Sequence, residues 1–231
     1  MSTLSVVGTP IGNLEDVTLR ALKVLASADL ILCEDTRMTK RLLSRHGISL
    51  PTLSYHSHSK VSRVDDIIAM LRAGKNIALV SDAGTPGISD PGAELVARIR
   101  AELGDMVASG ELKIESVPGP SALTAALSIA GVPMASFVFL GFLPHKKGRE
   151  TLFKEMAGSD RTTVFYESPH RIGKTLLSLE SHLEGLPKKV TVCRELTKIF
   201  EEVVAGTASE VRSYFEMHPE KARGEFVVIV S

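Results

Sequence analysis

Short apolar runs alternate with stretches whose apolar residues recur at helical spacing, and the alternation continues along the whole chain. Residues 4–7, 29–33, 76–81 and 113–117 are predicted as strands, with a shorter one at 52–55. Between them, Leu19, Leu22, Val24 and Leu25 predict an amphipathic helix over 18–26. Further helices are expected over 38–45, over 64–71 with a stop at Gly74, and over 93–102, opened by Asp90-Pro91. Val117-Pro118-Gly119-Pro120-Ser121 then interrupts the pattern. Two prolines flanking a glycine cannot continue a strand, so a domain boundary is placed here, giving halves 1–117 and 118–231. A small-residue helix over 122–130, ended by Gly131 and Pro133, opens the second half. Strands follow at 137–140, 162–166, 190–193, 202–205 and 226–230, with helices between them, the clearest over 209–217. Strands alternating with helices predict an α/β architecture.

Composition narrows the function. Of 231 residues 44% are hydrophobic but only 5% aromatic, with no Trp, so the core must be aliphatic. Basic and acidic residues are 27 each. Zero net charge argues against a general polyanion binder and leaves local patches: Lys40-Arg41, His145-Lys146-Lys147 with Arg149, and His170-Arg171. No apolar run approaches the roughly 20 residues that span a bilayer. The chain opens on a strand-like run rather than a signal peptide, so a cytoplasmic protein without membrane contact is expected. Cys33 and Cys193 stand alone inside apolar runs, which fits a reducing compartment. His56 and His58 have no third partner, and no metal is expected.

The chemistry lies in loops that follow strands. In α/β sheets ligands sit outside the carboxyl ends of the strands. The first such loop, Gly8-Thr9-Pro10-Ile11-Gly12-Asn13-Leu14, is neither a P-loop nor a dinucleotide fingerprint, and alone it reads equally as a tight turn. The second runs from Ser81 to Gly92 and holds three glycines, which admit close backbone approach to a ligand. Asp82 or Asp90 there is placed to bond a ribose, although Asp90 before Pro91 also reads as a helix cap. The third is the boundary segment. Gly119-Pro120-Ser121 lacks the second glycine of a nucleophile elbow, which excludes a serine hydrolase.

Taken together, the loops resemble the tetrapyrrole methylase superfamily. The stretches that carry the likeness include Thr9–Leu14, Glu34-Asp35-Thr36-Arg37, Val80–Pro86 with Asp90-Pro91-Gly92, Pro118-Gly119-Pro120 and Gly141-Phe142-Leu143-Pro144. Phe165–Arg171, Arg194-Glu195-Leu196-Thr197-Lys198 and Gly224-Glu225-Phe226-Val227 complete them. Several resemble the branch that methylates a cytidine 2′-hydroxyl in the decoding centre of small-subunit 16S ribosomal RNA. The resemblance implies two α/β domains, each a mixed sheet flanked by helices, with S-adenosylmethionine (SAM) in the interdomain cleft, and a homodimer acting on the small ribosomal subunit. It implies SAM contacts at Pro10, Asp82, Ala83, Gly84, Thr85, Ile88, Ser121, Ala122, Tyr166 and Glu167. Many relatives carry a helical extension past the last strand; with Ser231 as the last residue, RNA would be gripped by the core alone.

The reaction so implied is in-line attack of a ribose oxygen on an activated methyl group, which needs positioning above all. A hydroxyl is a weak acid, so a base would help. Glu34, Asp82 and Glu167 lead the candidates, with Asp35 and Glu195 behind them, each of which also reads as a cap or a salt-bridge partner. Arg37, Lys146, Lys147, His170 and Arg171 follow strands in both halves and are expected to rim one RNA entrance. Two alternatives remain open. One is a methyltransferase for a small molecule such as a tetrapyrrole, for which aromatics are few. The other is a non-catalytic, SAM-binding ribosome assembly factor.

Overall fold

The computed structural model describes residues 1–56, 61–90, 92–132 and 135–231. His58, Pro91 and Pro133 lie outside the described residues. The chain forms two compact units, Met1–Ser121 and Ala122–Ser231. The expected boundary at 117/118 thus falls four residues early. Pro118–Ser121 stays with the first unit because Thr85 donates to the Pro120 carbonyl (3.3 Å) and Gly119 packs on Gly8.

In the first unit the strands are β1 (Ser2–Val7), β2 (Leu30–Cys33), β3 (Thr52–Ser54), β4 (Asn76–Leu79) and β5 (Leu112–Val117). They form a sheet of order β3-β2-β4-β1-β5, and every pairing is parallel. Such strands are covered on both faces, which is why they read as unbroken apolar runs. On one face Leu4, Leu32, Ile77 and Leu79 pack with Ile67 and Leu71 of α3 (Val61–Arg72) and with Leu95 and Ile99 of α4 (Ala93–Glu102). On the other, Val7, Ile31 and Ala78 pack with Ala21 and Leu25 of α1 (Leu19–Ser27) and Leu43 of α2 (Thr36–Arg45). Thr18 caps α1 by accepting from the Ala21 amide (3.0 Å), and Asp35 caps α2 through the Arg37 amide (2.8 Å). A short helix, α5 (Gly104–Ser109), precedes β5 and was not expected.

The second unit holds α6 (Ala122–Ile129), β6 (Phe137–Phe142), α7 (Arg149–Gly158), β7 (Thr162–Glu167), α8 (Ile172–Leu183), β8 (Val190–Arg194), β9 (Glu202–Gly206), α9 (Ala208–Met217) and β10 (Phe226–Val230). Its sheet order is β6-β7-β10-β8-β9. β6 and β7 are parallel and the remaining pairs antiparallel. Of the mixed sheets expected in both halves, this one is mixed, whereas the first is parallel throughout. Phe165, Val192 and Val228 pack with Phe153, Leu176, Leu179, Val211 and Phe215 from α7, α8 and α9. Thr207 and Glu210 form a reciprocal capping box at the start of α9.

β6 runs two residues beyond its expected end. Phe139 pairs with Val164 but Phe142 pairs with Tyr166, so three steps on β6 match two on β7. Gly141, at φ +63°, absorbs the extra residue. A glycine reads as a strand terminator in sequence; here it is a bulge.

Candidate active site

The loops after β1, β4 and β5 meet through their backbones. α1 follows β1 onto one face of the sheet and α4 follows β4 onto the other, so adjacent strands diverge, the arrangement at which ligands of open α/β sheets gather. Thr9 and Gly84 clasp the two loops by an exchanged pair of backbone hydrogen bonds, Thr9 N–H to Gly84 O (2.8 Å) and Gly84 N–H to Thr9 O (3.1 Å). The buried Thr9 hydroxyl donates to Ser81 O (3.1 Å). Gly84 sits at φ +86°, a conformation glycine adopts freely, and a Cβ there would lie 3.5 Å from Ile11 and 3.8 Å from Pro120 O. Gly8 and Gly119 touch backbone to backbone: a Cβ on Gly8 would meet Gly119 N at 2.8 Å. Pro10 and Gly84 are buried, Thr85 and Ser121 half-buried, and Asp82, Ala83 and Ile88 exposed.

Carboxylates crowd the ends of β2 and β4. Asp82 accepts from the Asp35 amide (2.8 Å), and the Asp82 amide donates to Glu34 (3.5 Å). Burial, then the neighbouring Asp82 charge, push Glu34 above the ordinary carboxylate range. Asp90 rises further, to about 7, from burial and from the charges of Glu34 and Asp82, against a hydrogen bond from Ser81. Asp35 goes the other way, to about 2, because Arg37 grips it at 2.6 Å. Asp90 is not the cap of α4: the cap position is Gly92, which supplies no side-chain hydrogen bond.

The raised Asp90 makes a stability prediction. Its carboxyl keeps its proton to about pH 7 in the folded chain, whereas an unperturbed aspartate loses its proton near 3.8. Between those values the unfolded chain binds fewer protons, so stability falls as pH rises through the window. An Asp90→Asn variant removes that loss. Its melting temperature should match the parent near pH ~4 and exceed it by a few degrees near pH ~8. Scanning calorimetry that finds the same gap at both pH values would show that Asp90 ionises as an ordinary carboxyl.

In the second unit Glu167 ends β7 with its side chain fully buried. Oε1 accepts from the Ser168 amide (2.8 Å) and pairs with Arg171 Nε (2.7 Å). Oε2 accepts from the Thr175 hydroxyl (2.6 Å) and pairs with Arg149 (3.2 Å). The guanidiniums continue outward to backbone: Arg171 donates to Leu143 O (2.7 Å) and Arg149 to Pro144 O (3.2 Å). Both oxygens of Glu167 are thus engaged, and the two arginines clamp the loop that follows β6. Burial raises both thiols, Cys193 to about 11, so neither cysteine is a ready nucleophile.

The family model described as Tetrapyrrole (Corrin/Porphyrin) Methylases matches residues 3–212. The chain belongs to this family. Among its relatives, a Thermotoga maritima protein named "Ribosomal RNA small subunit methyltransferase I" is 43% identical over 231 residues, covering 100% of this chain and 99% of that protein. A Synechocystis protein of the same name is 46% identical, covering 100% and 79%. Solved structures share the fold. The methyltransferase CobJ superposes with a TM-score of 0.70 at 22% identity, covering 100% of this chain and 94% of that one. The uroporphyrin-III C-methyl transferase of Thermus thermophilus, complexed with S-adenyl homocysteine, scores 0.64 at 17% identity, covering 100% and 97%.

Within this methylase fold the expected site residues separate into groups. Pro10, Asp82, Ala83, Gly84, Thr85 and Ser121 are brought together by the clasped loops, and Ile88 lies further along the same loop, where its amide donates to Thr85 O. Glu34 joins Asp82 at the β2 end of that group. Ala122, Tyr166 and Glu167 belong to the second unit. Glu167, expected as a base, is occupied by its four partners instead. Arg171, expected at an exposed RNA rim, is 16% exposed and bound to Glu167, because a carboxylate at i and a guanidinium at i+4 close on each other around the start of α8. Glu195 is likewise committed, to Lys198 (2.9 Å) and the Glu225 amide (3.0 Å). Arg37, Lys146, Lys147 and His170 are exposed. Thr175 was missed; as one threonine within a helix it carries no signal in sequence. Among the described residues no group of three His, Cys, Asp or Glu is placed to hold a metal, and no helix is long and apolar enough to cross a membrane.

Proposed function

We propose that this protein transfers a methyl group from SAM to the 2′-oxygen of a cytidine ribose in 16S RNA of the small ribosomal subunit. The observation that carries the reading is identity of 43–46% with proteins named for small-subunit ribosomal RNA methylation, over the full length of this chain. The residues of the first unit fit the cofactor. Glycines at contact distance let these loops close backbone to backbone, and Glu34 and Asp82 supply carboxylates suited to a sulfonium and to ribose hydroxyls. SAM supplies the activated methyl. Pro10, the turn from Asp82 to Thr85, Ile88 and Ser121 hold it. Glu34 and Asp82 are the leading carboxylates left to accept the hydroxyl proton, since Glu167, Asp35 and Glu195 are committed elsewhere. The homodimer implied by the resemblance belongs to the same reading, as does a cytoplasmic site of action.

Small subunits isolated from cells lacking the gene should gain one methyl per particle on a cytidine ribose when incubated with the protein and SAM, read by mass mapping of RNA fragments. A Glu34→Gln variant should lose about 100-fold or more in single-turnover rate at unchanged SAM affinity. Methylation of a tetrapyrrole but not of RNA would replace the reading by the small-molecule one. Binding of SAM without transfer to any acceptor would leave an assembly factor.

A further inference from the structure

The β6 bulge places an aromatic ring where an ordinary strand would not. Side chains alternate faces, so residues 139 and 142 would point oppositely in a regular strand. The extra residue at the bulge returns Phe142 to the face of Phe139, and both rings meet Tyr166 edge to face, at 5.5 and 5.0 Å between centroids. That face is opposite the core packed by α7, α8 and α9, to which Phe165 points. Phe142 remains 54% exposed, in a chain with few aromatics. A bulge costs a ladder hydrogen bond and fixes Gly141 at φ +63°; its product is a ring supported from below and open above.

The segment beyond the ring is basic and rigidly held. Phe142 to Arg149 contains no acidic residue, and His145, Lys146 and Lys147 are exposed. The carbonyls of Leu143 and Pro144, between ring and lysines, are those gripped by Arg171 and Arg149. A fixed aromatic plane beside unpaired cations suits a splayed nucleotide: the ring stacks a base and the ammonium groups take phosphates. It suits a protein surface less, since two adjacent lysine cations would need a matching acidic rim.

Resting on the methyltransferase reading above, we propose that Phe142 is a stacking platform for an unpaired base of the RNA substrate, with Lys146 and Lys147 on its flanking phosphates. The variants Phe142→Ala, Phe142→Leu and Phe142→Trp test it in the full chain, with small subunits as the probe. Ala and Leu should weaken subunit binding about 10-fold to 100-fold, and Trp should restore it, because every base has a face to stack but Leu offers none. SAM affinity by calorimetry and solution mass by light scattering should stay at parental values. A Lys146→Ala/Lys147→Ala pair should lower the salt slope of binding by about two units, one per phosphate contact. If Leu serves as well as Phe, if SAM affinity falls in parallel, or if the oligomeric state changes, the platform is wrong. A parent protein that neither binds nor methylates the subunit would instead overturn the functional reading, and the platform with it.

Discussion

Replacing Arg171 by Ala should cost the second unit about 3–5 kcal/mol, the range for breaking a buried pair by removing one partner. Glu167 has no exposed side-chain surface, and Arg149 and Arg171 have 13% and 16%. Removing Arg171 leaves the carboxylate with one cation and frees the Leu143 carbonyl that its guanidinium holds. The fall in melting temperature should be about 10 °C for a chain of this size. Arg171→Lys should recover little, since one ammonium cannot reproduce a fork that reaches Glu167 and Leu143 at once. The triple change Glu167→Leu/Arg149→Met/Arg171→Met should recover most of the loss, because apolar replacement removes the buried charges together. Thermal denaturation of the four proteins decides this. An Arg171→Ala protein that melts like its parent yet binds the small subunit poorly would show that this cation faces RNA, as its place after a strand suggests in sequence.

Arg171 also marks what a sequence hides. Glu167 and Arg171 are visible as an i,i+4 pair, but the same spacing occurs on solvated helices, and nothing local reports that the pair is buried. Its other partners, Arg149 and Thr175, are 18 and 8 residues from Glu167 and meet it only in the fold. The strands were legible for the opposite reason. β2, β4, β8 and β10 lie within their sheets, and their apolar runs follow directly from burial on both sides. The clasped loops were legible as glycine- and proline-rich segments after strands, whereas the Thr9–Gly84 pairing across 75 residues was not. Of the two readings open for Asp90, the cap has the form of Asp-Pro before a helix, but Gly92 takes that position at φ +140°. Glu195 and Thr197 adopt left-handed backbone at φ +50° and +65° without being glycine, held by the bonds of Glu195 to Lys198 and of the Thr197 amide to Glu201 (2.6 Å). Tertiary contacts set those conformations, so no propensity scale could find them.

Gly119→Ala should abolish measurable SAM binding in a protein that still folds. A Cβ on Gly119 would lie 2.8 Å from Gly8 O, closer than real Cβ atoms come, and 3.0 Å from Gly8 C. The obstacle is backbone on both sides, so no side chain can rotate away. Gly8 is pinned in turn by the hydrogen bond its N–H donates to Val117 O (3.0 Å) and by the β1–β5 register that ends at Val7 and Val117. The loops after β1 and β5 must therefore separate, and the Thr85–Pro120 and Thr9–Gly84 bonds, which tie both to the β4 loop, move with them. The β1–β5 pairing itself lies outside the contact, so the sheet should persist at a cost of about 1–3 kcal/mol, the range for overpacking. Gly8→Ala should behave alike, since its Cβ meets Gly119 N and Cα at 2.8 and 2.9 Å. Gly173→Ala is the control: it lies in α8 with no other atoms within 4 Å of the added Cβ, and should leave SAM binding intact while adding about 0.5–1 kcal/mol of stability. Calorimetric titration of SAM into the three variants, alongside their circular dichroism, reads the outcome. A folded Gly119→Ala protein with parental SAM affinity would remove the β1 and β5 loops from the cofactor site.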